Sequence, residues 1–87
     1  MFYYVYVLKN LKSSLLYVGI TSDLKRRVVE HNSDKSTYTK NKGKWMPVYF
    51  EGYRSKKDAI CRERMLKRHG SSYGHLKRRI LNSLNES

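Results

Sequence analysis

The stretch Tyr17-Val18-Gly19-Ile20-Thr21-Ser22-Asp23-Leu24-Lys25-Arg26-Arg27-Val28-Val29-Glu30-His31 decides how the chain is read. It runs from an apolar strand through a glycine into a helix. Gly19 marks a point where the backbone comes close to another group. Ser22 is the expected helix N-cap, with Asp23 favourable in the first turn. Leu24 and Val28, at i and i+4, begin the apolar stripe of a helix reaching about Asn32. Arg27 and His31 fall at i+3 and i+7 from Leu24, on or beside the same stripe. A solvated helix carries such residues on its opposite face. Turned toward a core edge they need partners or a ligand, because burying them unpaired costs several kcal/mol. This conflict between helix pattern and burial is a mark of function.

Working outward, residues 2–9 are β-branched and aromatic and predict a strand. Their apolar residues do not alternate with polar ones, so both faces are expected to be at least partly covered. Residues 10–14 form a short polar connection, and residues 15–20 the second strand. A turn centred on Leu11-Lys12 sets Tyr6 opposite Tyr17, with both rings on one face of the ribbon. Residues 33–44 are polar, basic and aperiodic, and read as a loop. Residues 46–53 predict a third strand, with Pro47 at its start suiting an edge position. Ser55-Lys56-Lys57-Asp58 is close to a capping box and opens a second helix reaching about His69, with Gly70 at its C′ position. Residues 71–74 read as a loop and residues 75–84 as a final basic helix. The order ββαβαα predicts an α+β fold: a small three-stranded antiparallel sheet flanked by helices, in a single domain over residues 1–87.

Composition narrows the partners. Nineteen Lys and Arg against seven Asp and Glu give a formal charge of +12 in 87 residues. That balance points to a polyanion, most simply nucleic acid. Charge that serves only solubility is the alternative, but here it spreads over segments that read as folded, beside eight tyrosines and one tryptophan. Lys35, Lys40, Lys42 and Lys44, with Tyr38 among them and Arg26 on the preceding helix, suit a path along a phosphate backbone. A merely solvated loop is the plain alternative. The single cysteine, Cys61, excludes an internal disulfide framework and fits a reducing cytoplasm. Its place mid-helix beside Arg62 marks a packing residue rather than a nucleophile. The apolar run over residues 2–8 is too short for a signal peptide. Nothing nears the roughly 20 apolar residues of a membrane helix. The histidines do not pair with cysteine at zinc spacings.

A second fault lies in the second helix. Its apolar stripe is Ala59, Ile60 and Leu66, and Glu63 lies four after, three after and three before these positions. Glu63 therefore projects from the face expected to be buried. Glu51 and Glu86 have no such setting, and Glu30 falls off the Leu24–Val28 stripe. A carboxylate so placed is either an ion-pair partner, with Arg62, Arg64 and Lys67 nearby, or a metal ligand. Hard oxygen donors suit Mg2+ or Mn2+, and one carboxylate with waters and substrate phosphate suffices for Mg2+. Two tyrosines, an arginine, a histidine and a glutamate are thus out of place for pure packing. Together they supply what phosphodiester hydrolysis needs. A metal polarises the phosphoryl group, a guanidinium fork binds phosphate, and a phenol or imidazole moves the proton of the attacking water.

Tyr4-Val5-Tyr6 and Tyr17-Val18-Gly19, followed by a helix bearing Asp23, Arg27 and His31 and later by Arg62-Glu63, resemble the motifs of the GIY-YIG nuclease family. The first motif here lacks its glycine, and the second has Val for Ile. The likeness covers nearly the whole chain and is greatest to small stand-alone bacterial members. It implies that Tyr6 and Tyr17 are the motif tyrosines, one acting as general base or held by the other. Arg27 would bind the scissile phosphate, His31 would assist proton transfer, and Glu63 would hold a single divalent metal, Mg2+ or Mn2+. Family enzymes often carry an asparagine near the domain end, for which Asn82 and Asn85 are candidates. The larger members' DNA-recognition domain has no counterpart in this sequence, so specificity would come from DNA structure, from a protein partner, or not at all. The expected function is a metal-dependent endonuclease acting on DNA, in repair or recombination. A catalytically idle nucleic-acid-binding module and a basic adaptor for an acidic protein are the competing readings.

Overall fold

The structure, a computed structural model, describes residues 1–33, 39 and 42–86. Three strands form one antiparallel sheet in the order β2-β1-β3: β1 Tyr3–Asn10, β2 Leu16–Thr21 and β3 Trp45–Tyr53. Helix α1, Leu24–Asn32, follows β2; α2, Lys56–Lys67, follows β3; α3, Ser71–Arg79, and α4, Leu81–Asn85, close the chain. The expected α+β architecture is the one found. β3 begins one residue earlier than expected, and Pro47 does lie on an edge strand, beside a register shift between Val7 and Leu8. Among the described residues, no helix is long and apolar enough to cross a membrane.

The sheet divides the apolar residues into two clusters by simple alternation. Val5 and Val7 point to one face, where Val18, Ala59, Leu66, Leu76, Ile80 and Leu84 complete the main core under α2, α3 and α4. Tyr6 and Leu8 point to the other, where they meet Trp45, Tyr17, Leu24 and Val28 beneath α1. β1 is therefore buried on both faces, as its unbroken apolar run required.

Five expectations are corrected. Tyr6 pairs with Gly19, and Tyr17 with Leu8. The turn is one residue further along than expected because Asn10, itself buried, organises it. Its Oδ1 accepts bonds from the backbone of Lys12 (2.9 Å) and Ser13 (2.8 Å). Moving a turn centre by one residue moves the register by two, so both tyrosines keep the same face. Asp23, not Ser22, caps α1, its carboxylate accepting from Arg26 N at 3.1 Å. The left-handed residue after α2 is His69 (φ 56°), while Gly70 has φ −93° and precedes α3. Residues 71–74 are helical rather than loop, and the last helix is broken at Ile80 into α3 and α4. Cys61, expected to pack, lies exposed on the outer side of α2.

Candidate active site

Gly19 and Tyr6 define the floor. A Cβ on Gly19 would lie 2.5 Å from Tyr6 Cζ, in contact with the Tyr6 hydroxyl, and 3.0 Å from a Tyr17 ring carbon. The missing side chain is thus the space into which the phenol projects. α1 supplies the walls. Its C-terminal end is fastened to the sheet by Asn32, whose amide donates to Trp45 O (2.9 Å) and accepts from Trp45 N (2.8 Å). This aims His31 and Arg27 down onto the tyrosine face.

His31 is 1% exposed, and its Nε2 lies 2.8 Å from Tyr6 Oη. Its Nδ1 lies 2.8 Å from Thr39 Oγ1, and that hydroxyl donates to the His31 carbonyl at 3.4 Å. With the Thr39 proton so used, Nδ1–H donates to Thr39 and Nε2 is left to accept the Tyr6 proton. Burial first, then the Arg27 charge, pushes the His31 imidazole down to about 4, so it is neutral at pH 7. Burial and the neighbouring Tyr17 raise Tyr6 to about 12, against a hydrogen bond and charge from Arg27 that favour its phenolate. Arg27 also donates to Glu30 Oε1 at 2.9 Å, which holds its guanidinium charged and oriented. Tyr17, half-buried, closes the group with its ring 4.8 Å from His31 and 6.3 Å from Tyr6, between centroids.

Glu63 is half-buried on α2, close enough for its charge to raise the Tyr6 phenol. It pairs with Lys67 at 3.2 Å, and the Lys67 ammonium lies 5.7 Å from the Tyr17 ring centre. The structure thus gathers Tyr6, Tyr17, Arg27 and His31 about one point, with Glu63 facing it from α2. Among the described residues no three His, Cys, Asp or Glu side chains form a metal-binding group. A lone carboxylate is a donor set that fits a hard cation completed by water and phosphate, and not zinc.

Arg26 stands on α1 with its side chain 65% exposed, 3.8 Å from Glu30. Lys42 and Lys44 lie just before β3; Lys44 O accepts from Leu11 N, and Lys42 O from the Asn10 amide. Lys35, Tyr38 and Lys40 lie outside the described residues. Asn82 and Asn85 are exposed on α4, which packs on β3, the edge strand opposite β2; they are not brought to the cluster.

Sequence reasoning missed two features. Thr39 sits in an aperiodic stretch, and nothing in its spacing announces the contact with His31. Glu51, judged without a setting, is the most heavily bonded carboxylate on the opposite face. It accepts from Arg62 Nε (3.0 Å) and Nη2 (2.9 Å), from the Tyr49 hydroxyl (2.6 Å) and from the Tyr53 hydroxyl. Burial works to raise the Glu51 carboxyl, and these bonds outweigh it and hold it below the ordinary range. The i, i+2 spacing of Tyr49, Glu51 and Tyr53 on one strand face was the available signal.

The fold and the cluster define a domain of the GIY-YIG type. Residues 2–79 match the GIY-YIG catalytic domain, and the chain belongs to that family of nucleases. It is 39% identical over 66 residues to the UPF0213 protein CPE1444 of Clostridium perfringens, a match covering 75% of this chain and 70% of that protein. A UPF0213 protein of Streptococcus pneumoniae is also 39% identical over 66 residues, across 75% of this chain and 66% of its own. The solution NMR structure of the UPF0213 protein BH0048 of Bacillus halodurans superposes with a TM-score of 0.52 at 35% identity, covering 98% of this chain and 86% of the other.

Proposed function

We propose that the protein is a divalent-metal-dependent endonuclease that hydrolyses phosphodiester bonds in DNA, in a reducing cytoplasm and in the setting of repair or recombination. The observation that carries this reading is the buried Tyr6–His31 hydrogen bond of 2.8 Å, with the Arg27 guanidinium beside the same phenol oxygen. Tyr6 Oη takes a proton from the attacking water while its own proton passes to His31 Nε2. The relay needs a neutral imidazole, which burial provides. Thr39 holds the ring in the accepting tautomer. Arg27 binds the scissile phosphate and neutralises charge as the phosphorane oxygens develop it. Tyr17 walls the site and orients the phosphate. GIY-YIG nucleases generally use a divalent metal, and Glu63 is the residue to hold it; Mg2+ or Mn2+ there supplies Lewis-acid stabilisation of the leaving oxygen. Arg26, Lys42 and Lys44, with Lys35 and Lys40, bind the backbone of the substrate.

The test is cleavage of duplex, single-stranded, flapped and four-way-branched DNA and of RNA, with Mg2+ or Mn2+ and with chelator. Glu63→Ala abolishes metal-dependent cutting while leaving the fold intact by circular dichroism. Arg27→Ala lowers the rate at saturating DNA by about 100-fold or more, as loss of a charge-stabilising donor does. Cutting retained in Glu63→Ala places the metal ligand elsewhere. Binding without cutting by the wild type overturns the enzyme reading in favour of a binding module.

A further inference from the structure

Lys56, Ile60, Glu63 and Lys67 recur at spacings of four, three and four, so they share one stripe of α2. The stripe runs about 16 Å at the rise of an α-helix and flanks β2, whose outer edge carries no further strand among the described residues. A cavity lies toward each end. One, of 300 Å3, is lined by Tyr3, Ile20, Thr21, Ser22, Lys56 and Ile60. The other, of 280 Å3, is lined by Leu16, Tyr17, Val18, Lys67 and His69. Glu63 lies between them in the stripe, so a strand running from one cavity to the other passes the candidate metal ligand.

The second cavity has the surroundings of a base site. Tyr17 is one wall, and His69 is another. His69 is held outside the helix at φ 56°, a backbone region that non-glycine residues rarely adopt. Its ring stacks on Tyr73 at 4.3 Å and 19° between planes. His69 lines the cavity and Tyr73 does not, so the stack backs the cavity rather than filling it. Cations accompany the rings. Lys67 lines the cavity, and the Lys77 ammonium lies 5.3 Å from the Tyr73 ring centre. Stacked aromatic rings with flanking ammonium groups are how proteins hold unpaired bases without reading their sequence. The volume lies at the small end of ligand sites and suits one planar ring system rather than a duplex.

We propose that the cavity bounded by Leu16, Tyr17, Val18, Lys67 and His69 receives an unpaired nucleobase of the strand being cut, so that the substrate is single-stranded or locally unpaired nucleic acid. This rests on the nuclease reading and names its substrate class. A phosphate near Tyr6 and Arg27 leaves the base of an adjacent nucleotide beside Tyr17, and a base held in a pair is not free to enter.

The experiment places 2-aminopurine at successive positions of a single strand and of a flapped duplex, with chelator present, and follows its fluorescence on binding to the full chain. Stacking on His69 quenches the probe at one or two positions near the junction. His69→Gly removes the ring at a backbone angle that glycine adopts freely, so it is the variant that keeps the fold. It abolishes the quench and lowers the ratio of single-strand to duplex affinity about ten-fold, the share of one stacked base. His69→Phe restores both. Quenching unchanged in His69→Gly, or tighter wild-type binding to fully paired duplex than to single strand, overturns the proposal. Cleavage with Mn2+ is scored separately. Quenching that is lost in His69→Gly, with no cutting by the wild type, sinks the nuclease reading and keeps the base site; no binding to any nucleic acid sinks both.

Discussion

Gly19 is constrained most closely by the tip of the Tyr6 phenol. Gly19→Ala sets a methyl against that hydroxyl and forces the ring away from His31. Overpacking of this kind costs about 1–3 kcal/mol. Urea melts are expected to show the loss, and imidazole 15N shifts the broken hydrogen bond. His31 has its own signature. Its pKa is lowered from 6.5 to about 4 in the fold, chiefly by burial. The unfolded chain therefore takes up a proton below pH 6.5 that the folded chain refuses until about pH 4. The stability from this residue is complete above 6.5 and drains away as pH falls through that window, on the order of 2 kcal/mol. Denaturant melts of wild type and His31→Phe across pH 7 to 4.5 test this: the wild type loses stability over the range, and the variant lacks that component.

At the scale of elements, α1 and α2 are each pinned to the sheet by a polar contact. Asn32 ties α1 to the first residue of β3, and Arg62 ties α2 to Glu51 in the same strand. Arg62→Leu leaves Glu51 half-buried with only its two tyrosine donors, so it is expected to destabilise by about 1–3 kcal/mol. Thermal melts check the cost, and loss of part of it in Arg62→Leu/Glu51→Gln identifies it with the stranded carboxylate. The elements themselves were legible where one rule governed. The apolar run of β1 and the Leu24–Val28 stripe each specified a burial pattern that the fold kept. Gly19 read correctly as a close approach. What was not legible depended on a distant partner. The register needed the Asn10 side chain, Thr39 needed His31 across an aperiodic stretch, and Glu51 needed Arg62 eleven residues on. Gly70 drew the left-handed angle that His69 in fact adopts, since propensity names the usual residue and the stack on Tyr73 chose another.

For the whole molecule the governing quantity is charge. Nineteen cationic side chains on 87 residues make any polyanion complex depend on counterion release. Neutralising three phosphates weakens binding roughly forty-fold between about 50 and 200 mM salt. Titrations over that range are expected to give a linear log–log plot with a slope near −3 or steeper for DNA, and a shallow slope means contact is not chiefly with the backbone. The two clusters of the sheet explain how so small a chain supports a buried polar group. The fully buried residues of the Val5–Val7 face are apolar, with its Glu51–Arg62 pair only half-buried, while the Tyr6–Leu8 face takes the buried hydroxyl, imidazole and amide.

Those two faces are written alternately along one strand of eight residues. Tyr6, Leu8 and Asn10 face the cluster of the candidate site, and Val5 and Val7 face the apolar core. Losing one residue between Tyr6 and Asn10, with the turn kept, would exchange the two sets before it, placing a valine under His31 and a phenol in the apolar core. A change of length in this strand therefore reaches both clusters at once, where a substitution reaches only one.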